Sequence, residues 1–341
     1  MRATRPSSLV SVAVVAAVAL AVAAATLLVP ALEASFSARS NSRITTSWSA
    51  STVKVGQSAT VRGRVTSRQL HRRTVSLYVN LKSGWRRVAG TRSGPRGYYT
   101  IKVPTSYYLS RPMQLRVSAT KRAKAVASAN RTFTVRPAFT PAGSSALWAP
   151  MRAGQEWRFN PCQVVTYRVN DSRATTGALA DVQAAFARAH EATGIQFRYL
   201  GRTNSFPNSS MPFPADTNIV VAWGDDADTS WQLGDKVIST GGVLSSRAAR
   251  DGQGAVQRIR RAGIVMNTAE NAWLAQHAAT KMRVRALVHE IGVSLGLGPV
   301  TARYQRMNEA VYPQDTVNWG AGDLAGLNRV GLVEGCLTDT R

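Results

Sequence analysis

Val288-His289-Glu290-Ile291-Gly292-Val293-Ser294-Leu295-Gly296-Leu297-Gly298-Pro299 is the stretch on which the reading of this chain turns. The pattern around it predicts a helix over 282–295. His289 and Glu290 sit together on that helix. Position 293 lies four residues after His289, on the same helical face. Gly296, seven residues after His289, breaks the helix and turns the chain toward position 299.

The spacing matters because of what it does in the full frame His-Glu-x-x-His-x-x-Gly-x-x-His. Two imidazoles four residues apart on one face grip a Zn²⁺, the Glu activates the zinc-bound water, and the third His closes the ligand set. Here His289, Glu290 and Gly296 fit. Val293 stands at the second ligand position and Pro299 at the third, and neither has a side-chain lone pair. Met307 follows eight residues after Pro299. The chain has four histidines in all, which limits replacements. His190 is on an earlier helix, His71 is far back in the chain, and His277 lies at or before the start of the 282–295 helix. Tyr304, Glu309, Tyr312 and Asp315 are near in sequence but lack the motif's spacing.

Outward from this helix, strand and helix patterns alternate. Strands are expected at 164–169, 196–200, 218–223, 241–246 and 263–267. Helices are expected at 177–193, with Leu179, Val182, Phe186 and Ala189 on one face, and at 322–330. Such alternation predicts an α/β domain. Asp225, Asp226 and Asp228 read as a solvated loop, or less directly as oxygen ligands for Ca²⁺. Arg258, Arg260 and Arg261 read as a basic strand edge or loop, or as a processing site.

With these residues in view, the second half resembles the metzincin clan, and within it the matrixin-like zinc metallopeptidases secreted by actinobacteria. The resemblance covers about residues 155–337. Besides the helix, it includes Asn160-Pro161-Cys162 with Tyr167-Arg168-Val169-Asn170, then Ala185-Phe186 and Ala192-Thr193-Gly194. It continues through Ala222-Trp223, Gly320 to Leu327, and Gly335-Cys336. It implies a mixed sheet plus an active-site helix. In it, His289 is the first zinc ligand, Glu290 the general base and Met307 the Met-turn floor of the site. Cys162 and Cys336 form a disulfide that ties the domain's ends together. It implies zinc as cofactor and peptide or protein as the occupant of the cleft. The departures at Val293 and Pro299 change the expectation. The chain then reads as a pseudopeptidase that binds without cutting. The alternative is an active zinc metalloendopeptidase whose ligands come from outside the motif.

The first half reads differently. Between Ala34 and Thr140 there are 21 Lys+Arg and no Asp or Glu, which supplies most of the chain's formal net charge of +25. Alternating segments at 59–65, 74–81, 98–103, 113–119 and 131–136 are punctuated by Gly56, Gly63, Ser83-Gly84, Gly94-Pro95 and Gly97. That pattern predicts an all-β sandwich over 45–136. It resembles the bacterial immunoglobulin-like modules that precede catalytic domains. A domain so basic attracts polyanions, and an anionic cell-surface polymer is the expected partner. No helix-turn-helix and no aromatic ribonucleoprotein motif is present, so sequence-specific nucleic-acid binding is not expected. A Pro-, Gly- and Ser-containing linker spans 137–154, and the matrixin-like domain is expected over 155–341.

The whole has 341 residues, room for two typical domains, and is 44% hydrophobic, enough for real cores. Two cysteines exclude a disulfide-dense mini-fold or a cysteine-rich zinc module. No Walker or Rossmann glycine spacing occurs. Arg2 and Arg5 precede an uncharged run at 9–29. Residues 1–34 therefore read as a signal peptide or an N-terminal membrane anchor. Both place the rest of the chain outside the cytoplasm, secreted or at the cell surface, where two cysteines can oxidise.

Overall fold

The computed structural model of the chain describes residues 41–67, 72–121, 123–277, 281–310 and 316–340. The expected signal or anchor at 1–34, together with His71, Tyr312 and Asp315, lies outside the described residues.

The first half is built from strands whose side chains alternate between core and solvent. They are β1 (Thr52–Lys54), β2 (Thr60–Thr66), β3 (Thr74–Leu81), β4 (Gly84–Arg92), β5 (Tyr98–Lys102), β6 (Leu109–Val117) and β7 (Arg131–Arg136). One sheet centres on β2, which pairs with β5 and with the short strands Arg43–Ile44 and Ser47–Trp48. The other has the order β1-β7-β6-β3-β4. It is antiparallel except where β7 meets β1. Val61, Val65, Val75, Leu77, Leu115 and Phe133 form a shared core, each at most 1% exposed. The strand β4 is absent from the sequence expectation for a physical reason. None of its positions is fully buried, so it shows no apolar alternation.

The second half contains β8 (Val165–Asn170), α1 (Ala178–Thr193), β9 (Phe197–Arg202), β10 (Ile219–Gly224), β11 (Ser239–Arg250), β12 (Ala255–Asn267), α2 (Asn271–Gln276), α3 (Met282–Ser294) and α4 (Ala321–Val330). The sheet order is β9-β8-β10-β12-β11, with Thr338–Asp339 on the far end of β11. The first four strands are parallel, and β11 runs antiparallel to β12. The strand β10 is buried along its whole length, as a central parallel strand covered on both faces must be. The helices α1 and α3 share its core through Val182, Phe186, Leu287 and Ile291. The strands β11 and β12 are longer than the expected segments, because their outer ends form a largely polar antiparallel ribbon, with Ala249, Val256 and Ile259 buried but no sustained apolar alternation.

Cys162 and Cys336 form a disulfide that spans 174 residues of sequence. The two halves are packed on each other. Leu332 and Val333 belong to the core of the first half, Lys82 pairs with Glu334 at 2.6 Å, and the Tyr108 N–H donates to Glu191 O at 2.7 Å. The linker is extended and docked. Ala149–Pro150 pairs with Leu297–Gly298, and Ala321 N–H donates to Ala142 O at 2.8 Å. No helix among the described residues is long and apolar enough to cross a membrane. The whole is a mixed α/β fold, rich in strands and poor in helices.

Candidate functional site

The helix α3 lays His289 and Glu290 against the start of β11, at the open end of the sheet. Its glycines make the fit possible. A Cβ on Gly292 would stand 2.4 Å from Met307 Sδ. Gly296 has φ +108°, and a Cβ there would meet Trp157 O at 1.9 Å. So the helix ends at Ser294, and the chain turns into the short strand that carries it to Pro299.

His289 is half-buried, and its Nδ1 lies 2.7 Å from Arg306 O. A carbonyl only accepts, so Nδ1 is the donor in this bond, and Nε2 is the ring nitrogen left to face the cleft. The loop that supplies this carbonyl is fixed from below by Asp323 of α4, which is fully buried. Its carboxylate accepts from the backbone N–H groups of Arg306, Met307 (3.1 Å) and Gly320 (2.8 Å). The Asp323 N–H donates to Gln305 Oε1 at 2.9 Å. Burial pushes the Asp323 carboxyl up, and those three N–H donors oppose the shift. Met307, 1% exposed, packs under the helix in the same loop.

Glu290 is 5% exposed. The Ser239 hydroxyl donates to its Oε1 at 2.8 Å. Gly241 makes room for its other oxygen, since a Cβ there would lie 2.6 Å from Oε2. Burial pushes the Glu290 carboxyl above the usual carboxylate range, against the opposing influence of His289 and the Ser239 hydroxyl.

His289, Glu290, Val293 and Pro299 all line one cleft of about 780 Å³, with Ile238, Trp273 and Glu309 on its other walls. Thus the structure brings the expected site residues together, with Met307 as support. Tyr304 is 58% exposed and does not line this cleft, whereas Glu309 does. His190 sits at the end of α1 with Nδ1 at 2.9 Å from Ile195 O and Nε2 at 3.2 Å from Ser106 Oγ, facing the first half. His277 Nδ1 is 2.9 Å from Trp273 O.

A catalytic tetrahedral zinc needs about three protein donors. The cleft offers the His289 imidazole, while the buried Glu290 carboxylate is bonded to Ser239 and Glu309 lies exposed at the wall. Val293 and Pro299 put hydrocarbon where two further imidazoles are required. Among the described residues, no three His, Cys, Asp or Glu side chains converge. The residues present do not fit a zinc site of the expected kind.

The other acidic and basic clusters have structural partners. Asp225 pairs with Arg173 at 2.9 Å, Asp228 pairs with the same guanidinium, and Asp226 Oδ1 accepts from Leu233 N–H at 2.6 Å. Arg258 lies on β12 and pairs with Asp339 at 2.6 Å, and Arg261 stands over the Phe213 ring at 5.1 Å.

The wall of the cleft is a sheet edge. Asn267 N–H donates to Ile238 O at 2.9 Å, so 238 faces β12. By antiparallel alternation 240 and 242 do too, while 239, 241 and 243 turn their N–H and C=O groups to the other side. Among the described residues, that side of β11 has no strand partner until Ala249. Sequence reasoning missed Ser239, Gly241 and Asp323 as site residues. Of these only Asp323 had a sequence signal, at the start of the closing helix. No protein-family model matches the chain, and no curated protein is significantly similar to it.

Proposed function

We propose that this is an exported, matrixin-like pseudopeptidase. An immunoglobulin-like basic module holds it at an anionic surface polymer, and its cleft binds extended peptide without cutting it. The observation that carries the reading is the open edge of β11 beside a cleft whose motif positions hold Val293 and Pro299. An extended peptide gains main-chain hydrogen bonds by adding to such an edge, and side-chain pockets supply selectivity. Val293, Pro299, Ile238 and Trp273 offer apolar contact for alternate side chains. With no acidified water, Glu290 has nothing to deprotonate. The topology supports the family reading in outline: a parallel sheet closed by one antiparallel edge strand, with the His-Glu helix laid against that strand.

The test uses the full chain, because the halves share a core. The chain is equilibrated with zinc, freed of excess, and assayed for metal. It is then incubated with a library of extended peptides. The expected outcome is peptide binding without cleavage, with slowed amide exchange at 239, 241 and 243. About one tightly held zinc per chain, with proteolysis lost in Glu290→Gln, would establish the active endopeptidase instead.

A further inference from the structure

The first half carries a cavity of about 560 Å³ between β2, β5 and the segment at 45–47. Three of the residues lining it are Arg62, Arg64 and Arg92. No carboxylate side chain exists in this half of the chain between Ala34 and Thr140. Among the described residues, the ion pair that reaches it from the second half is that of Lys82 with Glu334, so these three guanidinium groups are unneutralised.

The cavity is held in shape by the strands themselves. A Cβ on Gly63 would lie 1.9 Å from Thr45 O and 2.6 Å from Tyr99 Oη, so the 45–47 segment lies directly on β2. The Tyr99 hydroxyl donates to Thr45 O at 2.7 Å and fixes that contact. Arg64 is positioned at two points. Its Nε–H donates to Arg96 O at 3.0 Å, and its guanidinium stands 5.2 Å from the Tyr98 ring centre. A guanidinium held this way loses little freedom when it meets an anion. The Tyr98 ring is 60% exposed. Thr46, Ser47 and Thr100 add hydroxyls to the lining that make no side-chain hydrogen bond among the described residues.

This is a specific combination: one positioned guanidinium flanked by two exposed ones, an exposed ring and free hydroxyls around one cavity. A sugar presents a flat C–H face to a ring and hydroxyls to hydroxyls, and its acidic group meets the guanidinium fork. Single-stranded nucleic acid calls for a succession of stacking rings, and this cavity presents one exposed ring. The geometry points to a binding site for an anionic glycan, a polyhydroxylated chain with a repeating carboxylate or phosphodiester, at Arg62, Arg64, Arg92 and Tyr98. This inference rests on the reading of the basic half as adhesive, and it gives that adhesion a place and a ligand.

The test measures binding of the full chain at physiological salt to hexagalacturonate, a phosphodiester-linked mannose oligosaccharide, neutral maltohexaose and a single-stranded oligonucleotide of matched charge. Arg62→Ala/Arg92→Ala is compared with Arg131→Ala/Arg136→Ala, which removes the same charge from the other sheet. The site pair is expected to weaken binding of an anionic probe about tenfold or more, and the control pair less than about twofold. Tyr98→Ala should weaken it severalfold and Tyr98→Phe should restore it. Whichever anionic probe binds tighter identifies the uronate or phosphate source. Equal weakening by both pairs overturns the site while leaving diffuse polyanion adhesion standing. Equal affinity for the oligonucleotide overturns the glycan assignment. No binding to either anionic probe overturns both this site and the adhesive reading.

Discussion

The two halves of this molecule use arginine in opposite ways. In the second half, Arg158, Arg168, Arg173, Arg202, Arg258 and Arg283 each pair with an aspartate of the same half. The first half has no acid of its own between Ala34 and Thr140. Arg64, Arg116 and Arg131 stand over Tyr98, Tyr78 and Trp48, and the buried Arg73 donates to the carbonyls of Ser118 and Lys124. Paired guanidinium groups staple a fold and project little field. Unpaired ones leave the field directed at solvent, where a polyanion feels it.

The sharpest way to break this contrast is to remove one arginine of each kind. Arg158 is fully buried, lies 2.9 Å from Asp251 and donates to Gly335 O at 2.9 Å. Arg158→Ala strands the Asp251 carboxylate, whose side chain is 6% exposed. A loss of about 3–5 kcal/mol is expected, read from denaturant unfolding. Arg62→Ala, at an exposed position, should change stability by no more than about 0.5 kcal/mol. Similar costs at the two sites would mean that arginine is not partitioned between stapling and display.

Next in size is the disulfide. Cys162→Ser/Cys336→Ser opens a closure of 174 residues and should cost about 2–4 kcal/mol. The bridge also pins the segment that carries Leu332 and Val333 into the core of the first half. Thermal melting should therefore drop for both halves together. A melting step confined to the second half would show that the halves are joined by the linker alone.

The same contrast explains what was legible in the sequence. Strands with a buried face, such as β3, and the helices α1 and α3 announce themselves through periodicity. The half-buried β4 does not, because none of its positions is fully buried and no clean alternation results. His289, Glu290, Val293 and Pro299 lie in one short stretch of sequence, so the frame and its departures could be read directly. Ser239 and Asp323 act on those residues from 51 and 17 positions away, respectively, measured to Glu290 and to Arg306. Their partners exist only after β11 and α4 have packed. The docking of Leu332 and Val333 into the other half, and the pairing of 149–150 with 297–298, are likewise long-range choices that composition does not encode.

The smallest expected effect is also the most diagnostic, because Glu290 departs from the rule of its own half. It is a buried carboxylate held by the Ser239 hydroxyl rather than by an arginine. Burial raises its pKa in the folded chain, whereas in the unfolded chain it titrates near about 4.3. A raised folded pKa gives stability that is fully present below the unfolded value and is lost as pH rises through the folded value. Glu290→Gln keeps the oxygen that accepts from Ser239 and removes the titration. Melting temperatures of the two proteins, followed from acid to neutral pH, should coincide below the ordinary carboxylate range. The wild type should then fall progressively behind the Gln variant, and the gap should level off above the folded pKa. A gap that never opens would mean that burial is not penalising the charge. A wild type that gains on the variant as pH rises would mean that a cation, the His289 imidazolium or a bound metal, neutralises Glu290 in the folded protein, and zinc added to the same melts would separate the two.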